Sequence, residues 1–165
     1  MFLKTHSPQD RLRVWREVRS REYSTPESLA KQFAGIELLP RYIDYYTPNS
    51  WPTPFEIVTE GYLCLSGVTL VLAATLVHKK FILDNELCFT VISNNITGES
   101  GIVLIYDNKV YNFTPGEIVT LDFVKENATI FQTHKIDIET LSYWLLYSYI
   151  VQFVCDKYNF NNKKF

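Results

Sequence analysis

The chain has 165 residues, of which 47% are hydrophobic and 15% aromatic. This composition excludes a disordered chain, and the length suits one domain with a sizeable core, residues 1–165. The formal net charge of −2 is unevenly distributed, because residues 1–21 carry a balance of +4 and the remainder −6. We therefore divide the domain into a basic helical arm, residues 1–35, and an α+β body, residues 36–165.

The amino-terminal sequence lacks the apolar run of a secretory signal, so we expect a cytoplasmic protein without disulfides. Cys64, Cys88 and Cys155 are odd in number and widely spaced, and the chain has three histidines. Such spacing does not match a structural zinc site. The glycines of residues 97–101 lack the lysine of a phosphate loop. We predict neither a metal nor a cofactor.

Two helices are predicted in the arm. Ser7 and Pro8 begin one that extends to about Glu22, and Thr25-Pro26 begins a shorter one that ends at Gly35. The apolar positions of the first helix form a narrow stripe, which places its arginines on the wider outer surface. These arginines are Arg11, Arg13, Arg16, Arg19 and Arg21. They predict contact with another protein or self-association, and binding of nucleic acid is the alternative.

The next segment, residues 39–54, is rich in proline and aromatic residues. Aromatic rings among prolines indicate a loop that packs on the body or recognises a partner. We favour packing, and we also assign partner contacts to aromatic residues of this loop and of the last helix. The residues assigned are Tyr45, Tyr46, Trp51 and Trp144.

A short helix is predicted over residues 53–59, followed by a buried helix from Leu63 to Val77. Cys64 lies at its beginning, where the helix amino terminus favours a thiolate, but the same residue also suits a small apolar filler. The helix is shorter than the roughly 20 apolar residues of a membrane span. The apolar segment 141–155 is short as well, so we predict no span.

From residue 87 the pattern changes to short runs rich in β-branched and aromatic residues. Strands are predicted over residues 87–93, 101–106, 109–114 and 128–134, with a short helix at 121–126. Asp137 caps a final helix that extends to about Lys157. The fold class is therefore α+β. The amino-terminal helices and a buried central helix pack on an antiparallel β-meander, which a carboxy-terminal helix closes.

Trp51 and Pro54 form a Trp-x-x-Pro stretch, and Gly61 precedes a cysteine that opens a core helix before an antiparallel meander. Over residues 51–116 this pattern resembles the transglutaminase-like branch of the papain-type fold. The resemblance implies that Cys64 is the nucleophile, with a histidine on a following strand and an aspartate on the next. The chain instead has Glu99-Ser100-Gly101-Ile102 and Thr114-Pro115 at these places. The chain is also similar to small proteins of tailed bacteriophages.

A cysteine nucleophile needs a base and a group that orients the base. His78 lies about 21 Å from Cys64 along a continuous helix, which excludes it. His134, on a later strand, is the remaining candidate base. We therefore predict a noncatalytic protein that acts by protein contact, in a phage particle or in the host cytoplasm. A hydrolase or acyltransferase that uses Cys64 and His134 is one alternative, and nucleic-acid binding through the arginines is another.

Overall fold

The computed structural model describes residues 7–84 and 86–140. The helices and strands are largely segregated along the chain, as an α+β fold predicts. They are α1 (Pro8–Ser20), α2 (Pro26–Ala30), α3 (Pro54–Glu60), α4 (Leu65–His78), β1 (Glu86–Asn94), β2 (Ser100–Tyr106), β3 (Lys109–Tyr111), β4 (Ile118–Thr120), α5 (Leu121–Asn127) and β5 (Ala128–Asp137). Single 3₁₀ turns occupy Lys31–Phe33 and Pro48–Ser50. The predicted carboxy-terminal helix, with Trp144 and Cys155, lies outside the described residues apart from a helical beginning at 138–140.

The caps predicted from the sequence begin the helices. The Ser7 hydroxyl accepts the backbone N–H of Asp10, and Thr25 and Thr53 each form a reciprocal capping box. Helix α1 ends at Ser20, two residues before the predicted end. Its fully buried Trp15 donates the indole N–H to the Thr75 hydroxyl at 3.1 Å, which joins α1 to α4.

The prediction that all five arginines lie on the outer surface is wrong for Arg11 and Arg19, which are 8% and 5% exposed. Arg11 donates to the carbonyl oxygens of Val58 at 2.6 Å and Thr59 at 2.5 Å, near the end of α3. Burial lowers the pKa of the Arg11 guanidinium. Arg19 lies 4.1 Å over the ring of Trp15. Long side chains let these residues cross the helix surface, so the arm is docked on the body.

Arg13, Arg16 and Arg21 are exposed on α1 or directly after it. Arg13 forms ion pairs with Asp10 and Glu17 on the same helix. The basic surface available to a partner is therefore smaller than the sequence indicates. Contact of a partner with these three arginines stays a prediction.

The sheet has the strand order β4-β3-β2-β1-β5, and each neighbouring pair is antiparallel. The predicted meander is confirmed, and the strand predicted at 128–134 pairs with β1 at the opposite edge. The third strand ends at Tyr111 instead of residue 114, because Asn112 adopts a left-handed backbone with φ of 67° and turns the chain. Strand β4 was missed, since three residues give too little pattern to recognise.

The two faces of the sheet bury separate cores. Leu87, Phe89 and Val91 alternate along β1 into the larger core, which includes α4 and Trp15. Ile92 faces the other side, in a smaller core with Val124 of α5. Helix α4 is buried on nearly every side, as its continuous apolarity predicted. Within the described residues, no helix combines the length and apolarity needed to cross a membrane.

Candidate functional site

Cys64 is the residue immediately before α4. Its backbone is extended, and its sulfur accepts the backbone N–H of Gly67 at 3.4 Å. The thiol therefore occupies the position where a serine or threonine side chain usually caps a helix. The side chain is half-buried.

Burial raises the pKa of the Cys64 thiol above its ordinary value, and the backbone N–H groups of Gly67 and its neighbours lower it by less. The prediction that the helix amino terminus favours the thiolate therefore describes the smaller of two opposing effects. The thiol is protonated at neutral pH.

The first turn of α4 is hydrogen-bonded to the part of β2 that does not pair with β3. The Ser66 hydroxyl accepts the backbone N–H of Ile102 at 3.0 Å, and the Thr69 hydroxyl donates to the Ile102 carbonyl at 2.7 Å. Asn112 completes this network by donating its side-chain N–H groups to Thr69 at 2.8 Å and to the Leu65 carbonyl at 3.1 Å. These contacts fix where the Cys64 sulfur lies relative to the sheet.

The two segments to which the family resemblance assigns a base and its orienting group carry neither a histidine nor an aspartate. At the start of β2, a Cβ atom on Gly101 would lie 3.1 Å from the Leu65 side chain and 3.4 Å from the Ser66 hydroxyl oxygen. Asn112 follows β3 and contacts α4 with an amide. The Thr114-Pro115 pair lies in the next turn, where the Thr114 carbonyl accepts the N–H of Glu117.

A cleft of about 340 Å³ opens beside the thiol, between residues 38–45 and the start of β2. Tyr45 crosses it and donates its hydroxyl to the Ser100 carbonyl at 3.1 Å. Burial raises the pKa of the Tyr45 phenol, and the nearby Cys64 raises it by a smaller amount. The hydroxyl that faces the thiol is therefore a proton donor at neutral pH, and it is bonded to the sheet.

His134 binds a different part of the same loop. Its Nε2 atom is 3.0 Å from the Tyr45 carbonyl oxygen, to which it donates when Nε2 carries the proton. The ring also packs edge-on against Trp51, with 5.5 Å between the ring centres. His78 lies at the far end of the continuous α4. The structure thus brings His134 to Trp51 and the Tyr45 backbone, and it gives no contact between His134 and Cys64.

The aromatic loop packs on the body, as favoured from the sequence. Trp51 is 5% exposed and donates its indole N–H to the Asp44 carbonyl at 2.7 Å. Tyr42 and Tyr46 remain 79% and 53% exposed. Of the aromatic residues assigned to a partner, Tyr46 is thus accessible, Tyr45 and Trp51 support the loop, and Trp144 lies outside the described residues.

A second cavity of about 390 Å³ lies between this loop and α3. Its lining includes Asp44 and Trp51 from the loop and Glu56 and Glu60 from α3. The cavity that these two glutamates help to line was not predicted from the sequence. The available signal was their i, i+4 spacing, which places both on one helix face, next in sequence to an aromatic loop.

Among residues 7–84 and 86–140, no group of three or more His, Cys, Asp or Glu side chains is arranged to hold a metal ion.

No protein-family model matches the chain, and no curated protein matches its sequence. The structure of calcium-bound LapG from Legionella pneumophila is similar over 79% of this chain and 77% of that chain. The TM-score is 0.57 and the sequence identity 13%. A likeness at this identity establishes the fold alone. LapG is a transglutaminase-like protein, so this chain has a transglutaminase-like core fold.

Proposed function

We propose that this protein is noncatalytic and acts by binding another protein through the surface of its transglutaminase-like core. The observation that carries the proposal is the environment of Cys64. Its sulfur caps α4 through the Gly67 N–H, and the segments to which the resemblance assigns a base and its orienting group carry Gly101 and Thr114 instead of a histidine and an aspartate.

The chemistry of a thiol nucleophile explains why this environment matters. The thiolate attacks, so an active cysteine needs a proton acceptor within hydrogen-bond distance or a lowered pKa. Burial raises the pKa of Cys64 instead. His134 is the remaining candidate base. Its Nε2 atom contacts the Tyr45 carbonyl, which supports a structural role for this histidine.

The proposed contact surface combines exposed aromatic rings with exposed arginines. Tyr42 and Tyr46 project from the loop that Trp51 holds in place, so their rings are presented with little conformational freedom to lose. Arg13, Arg16 and Arg21 supply charge on α1 or directly after it. The proposal extends to the location of this binding, a phage particle or the cytoplasm of its host, as the resemblance given in the sequence analysis implies.

LapG binds calcium in its solved structure. Calcium sites in proteins collect six to eight oxygen ligands, several of them carboxylates. Among the described residues, no group of three or more His, Cys, Asp or Glu side chains is arranged to hold a metal ion. The proposal therefore includes no step that depends on calcium.

Iodoacetamide labelling of the reduced full-length chain near neutral pH tests the noncatalytic part. We expect Cys64 to react more slowly in the folded protein than after denaturation, because the buried thiol holds its proton. Mass spectrometry of labelled peptides separates Cys64 from the other cysteines, and Cys64→Ser identifies its peptide.

Rapid labelling of folded protein that slows in His134→Gln would overturn this part and support the cysteine hydrolase. Labelling that is fast with or without His134 would also contradict it.

Copurification from the native host or particle tests the binding part. We expect a partner protein to be lost when both Tyr42 and Tyr46 become alanine, with at least a tenfold weaker affinity, or about 1.4 kcal/mol. Leu83→Ala is the matched control, since Leu83 is 73% exposed and lies in the turn between α4 and β1. Equal retention by the tyrosine variant and the control would contradict the proposed surface, and salt-sensitive retention of DNA or RNA alone would favour the nucleic-acid alternative.

A further inference from the structure

The cavity between the aromatic loop and α3 has an unusual lining. Carboxylates and aromatic rings form most of its wall, and no lysine, arginine or histidine of residues 7–84 and 86–140 lines it. The charged and aromatic lining residues are Tyr42, Asp44, Trp51, Glu56, Glu60 and Tyr62. At about 390 Å³ the cavity has room for one long side chain.

The carboxylates of this cavity have no cation of their own. Within the described part of the chain, Asp44, Glu56 and Glu60 take part in no ion pair. One oxygen of Asp44 accepts the Tyr46 N–H at 3.0 Å, and one oxygen of Glu56 accepts the Thr53 N–H at 2.7 Å. Glu56 therefore keeps its other oxygen, and Glu60 keeps both.

Hydrogen bonding also keeps one of these groups charged. The hydrogen bond from the Tyr46 N–H lowers the pKa of Asp44, and a hydrogen bond from the Thr47 side chain lowers it by a smaller amount. Several negative charges in one concave surface attract a positive charge more strongly than the same charges spread over a flat surface.

The aromatic walls favour the same kind of ligand. The faces of tyrosine and tryptophan rings attract lysine and arginine cations within about 6 Å of the ring centre. One instance is already present here, since the Arg41 guanidinium lies 5.2 Å from the centre of the Tyr62 ring. The indole of Trp51 is fixed by its bond to the Asp44 carbonyl, so this wall is formed before any ligand arrives.

We propose that this cavity receives a lysine or arginine side chain of the partner protein. The inference rests on the proposed function and extends it by naming the chemistry that the partner presents. Carboxylates neutralise the charge of the side chain, while Tyr42 and Tyr62 contact its cation and its methylene groups. The partner therefore carries an exposed basic residue at the centre of its contact surface.

The test titrates the ¹⁵N-labelled full-length chain with Nα-acetyl-lysine amide and Nα-acetyl-arginine amide. Nα-acetyl-norleucine amide is the uncharged control probe. We expect the backbone amides of Asp44, Trp51 and Glu60 to shift with the charged probes up to about 50 mM, because single-residue ligands bind weakly. Added salt should reduce the response.

Two variants locate the binding. Glu60→Gln should raise the apparent dissociation constant by about fivefold, and Glu126→Gln should leave it unchanged. Glu126 is an exposed carboxylate on α5, on the opposite side of the sheet. Equal shifts with norleucine, equal effects of the two variants, or no shift at these amides would each overturn the inference.

Failure of this inference can be distinguished from failure of the proposed function. Reactive Cys64 would contradict the noncatalytic role and leave cation binding in the cavity intact. If the cavity binds no cation, while Cys64 is unreactive and the partner is lost from the tyrosine variant, only the present inference is overturned.

Discussion

The first turn of α4 and the cavity beside α3 are close in sequence, yet they use polar groups in opposite ways. Ser66, Thr69 and Asn112 direct their polar groups into contacts with α4 and β2. Asp44 and Glu60 line an open cavity and form no ion pair within the described residues. The comparison teaches that polar groups already bonded within the fold serve its stability, whereas those that line an open cavity are the better candidates for binding. It also predicts that substitutions in the first region alter stability, whereas those in the cavity alter binding.

Gly67→Ala should have the largest effect, because α4 begins in contact with the chain before it. A Cβ atom on Gly67 would lie 2.0 Å from the Tyr62 carbonyl oxygen, so the backbone must move. We expect the free energy of unfolding to fall by about 4 kcal/mol, measured by urea denaturation.

Gly98→Ala is the control for glycine at an uncrowded position. Gly98 has a φ of 76° and open space around it, so its replacement should cost only about 1 kcal/mol of backbone strain. A loss at Gly67 no greater than at Gly98 would show that the first turn of α4 is loosely held, and the comparison would fail.

Asn112→Ala should have the next largest effect. It removes the donors to Thr69 and Leu65 in the buried network, and the expected loss is about 2 kcal/mol beyond that of the control. The control is Asn108→Ala, since Asn108 also has a positive φ, 57°, but lies exposed in the β2–β3 turn. The Oδ1 atom of Asn112 is buried without a partner in the described residues, which partly offsets the gain from its two donors. Equal losses in the two variants, measured by urea denaturation, would contradict a structural role for the network.

Local chemistry made much of this fold predictable from the sequence. Ser7, Thr25 and Thr53 begin helices because each hydroxyl accepts the N–H three residues ahead, and such caps depend on neighbouring residues alone. The change to β-branched runs after residue 86 likewise predicted the meander. The short strand β4 was missed because its three residues have no period to detect.

The site was less predictable, because it depends on contacts between distant residues. Arg11 reaches carbonyl oxygens 47 and 48 residues away, and nothing in the arginine spacing of α1 distinguishes it from Arg13. Asn112 contacts Leu65 across a similar separation. The sequence indicated that Cys64 opens a core helix, but only the structure determines what lies beside its sulfur.

Substitution of Cys64 should change the free energy of unfolding least. The comparison of its alanine and serine variants distinguishes a helix cap from a catalytic thiol. Cys64→Ala removes the acceptor for the Gly67 N–H and should lower the free energy of unfolding by about 1 kcal/mol near neutral pH. Cys64→Ser keeps an acceptor at the cap and should match or slightly exceed the wild type. A serine variant less stable than the alanine variant would contradict capping by this residue.

The same pair, wild type and Cys64→Ser, reports on the thiol when unfolding is measured at rising pH. Because burial raises the pKa of Cys64 in the folded protein, the unfolded chain loses this proton at lower pH than the folded chain. Stability is therefore unaffected by the thiol below about pH 8.5, the ordinary cysteine pKa, and it declines as pH rises through the folded value. Serine does not titrate in this range, so the advantage of Cys64→Ser should grow between about pH 8 and about pH 10. An advantage that shrinks with pH would mean that the fold stabilises the thiolate, and it would restore Cys64 as a candidate nucleophile.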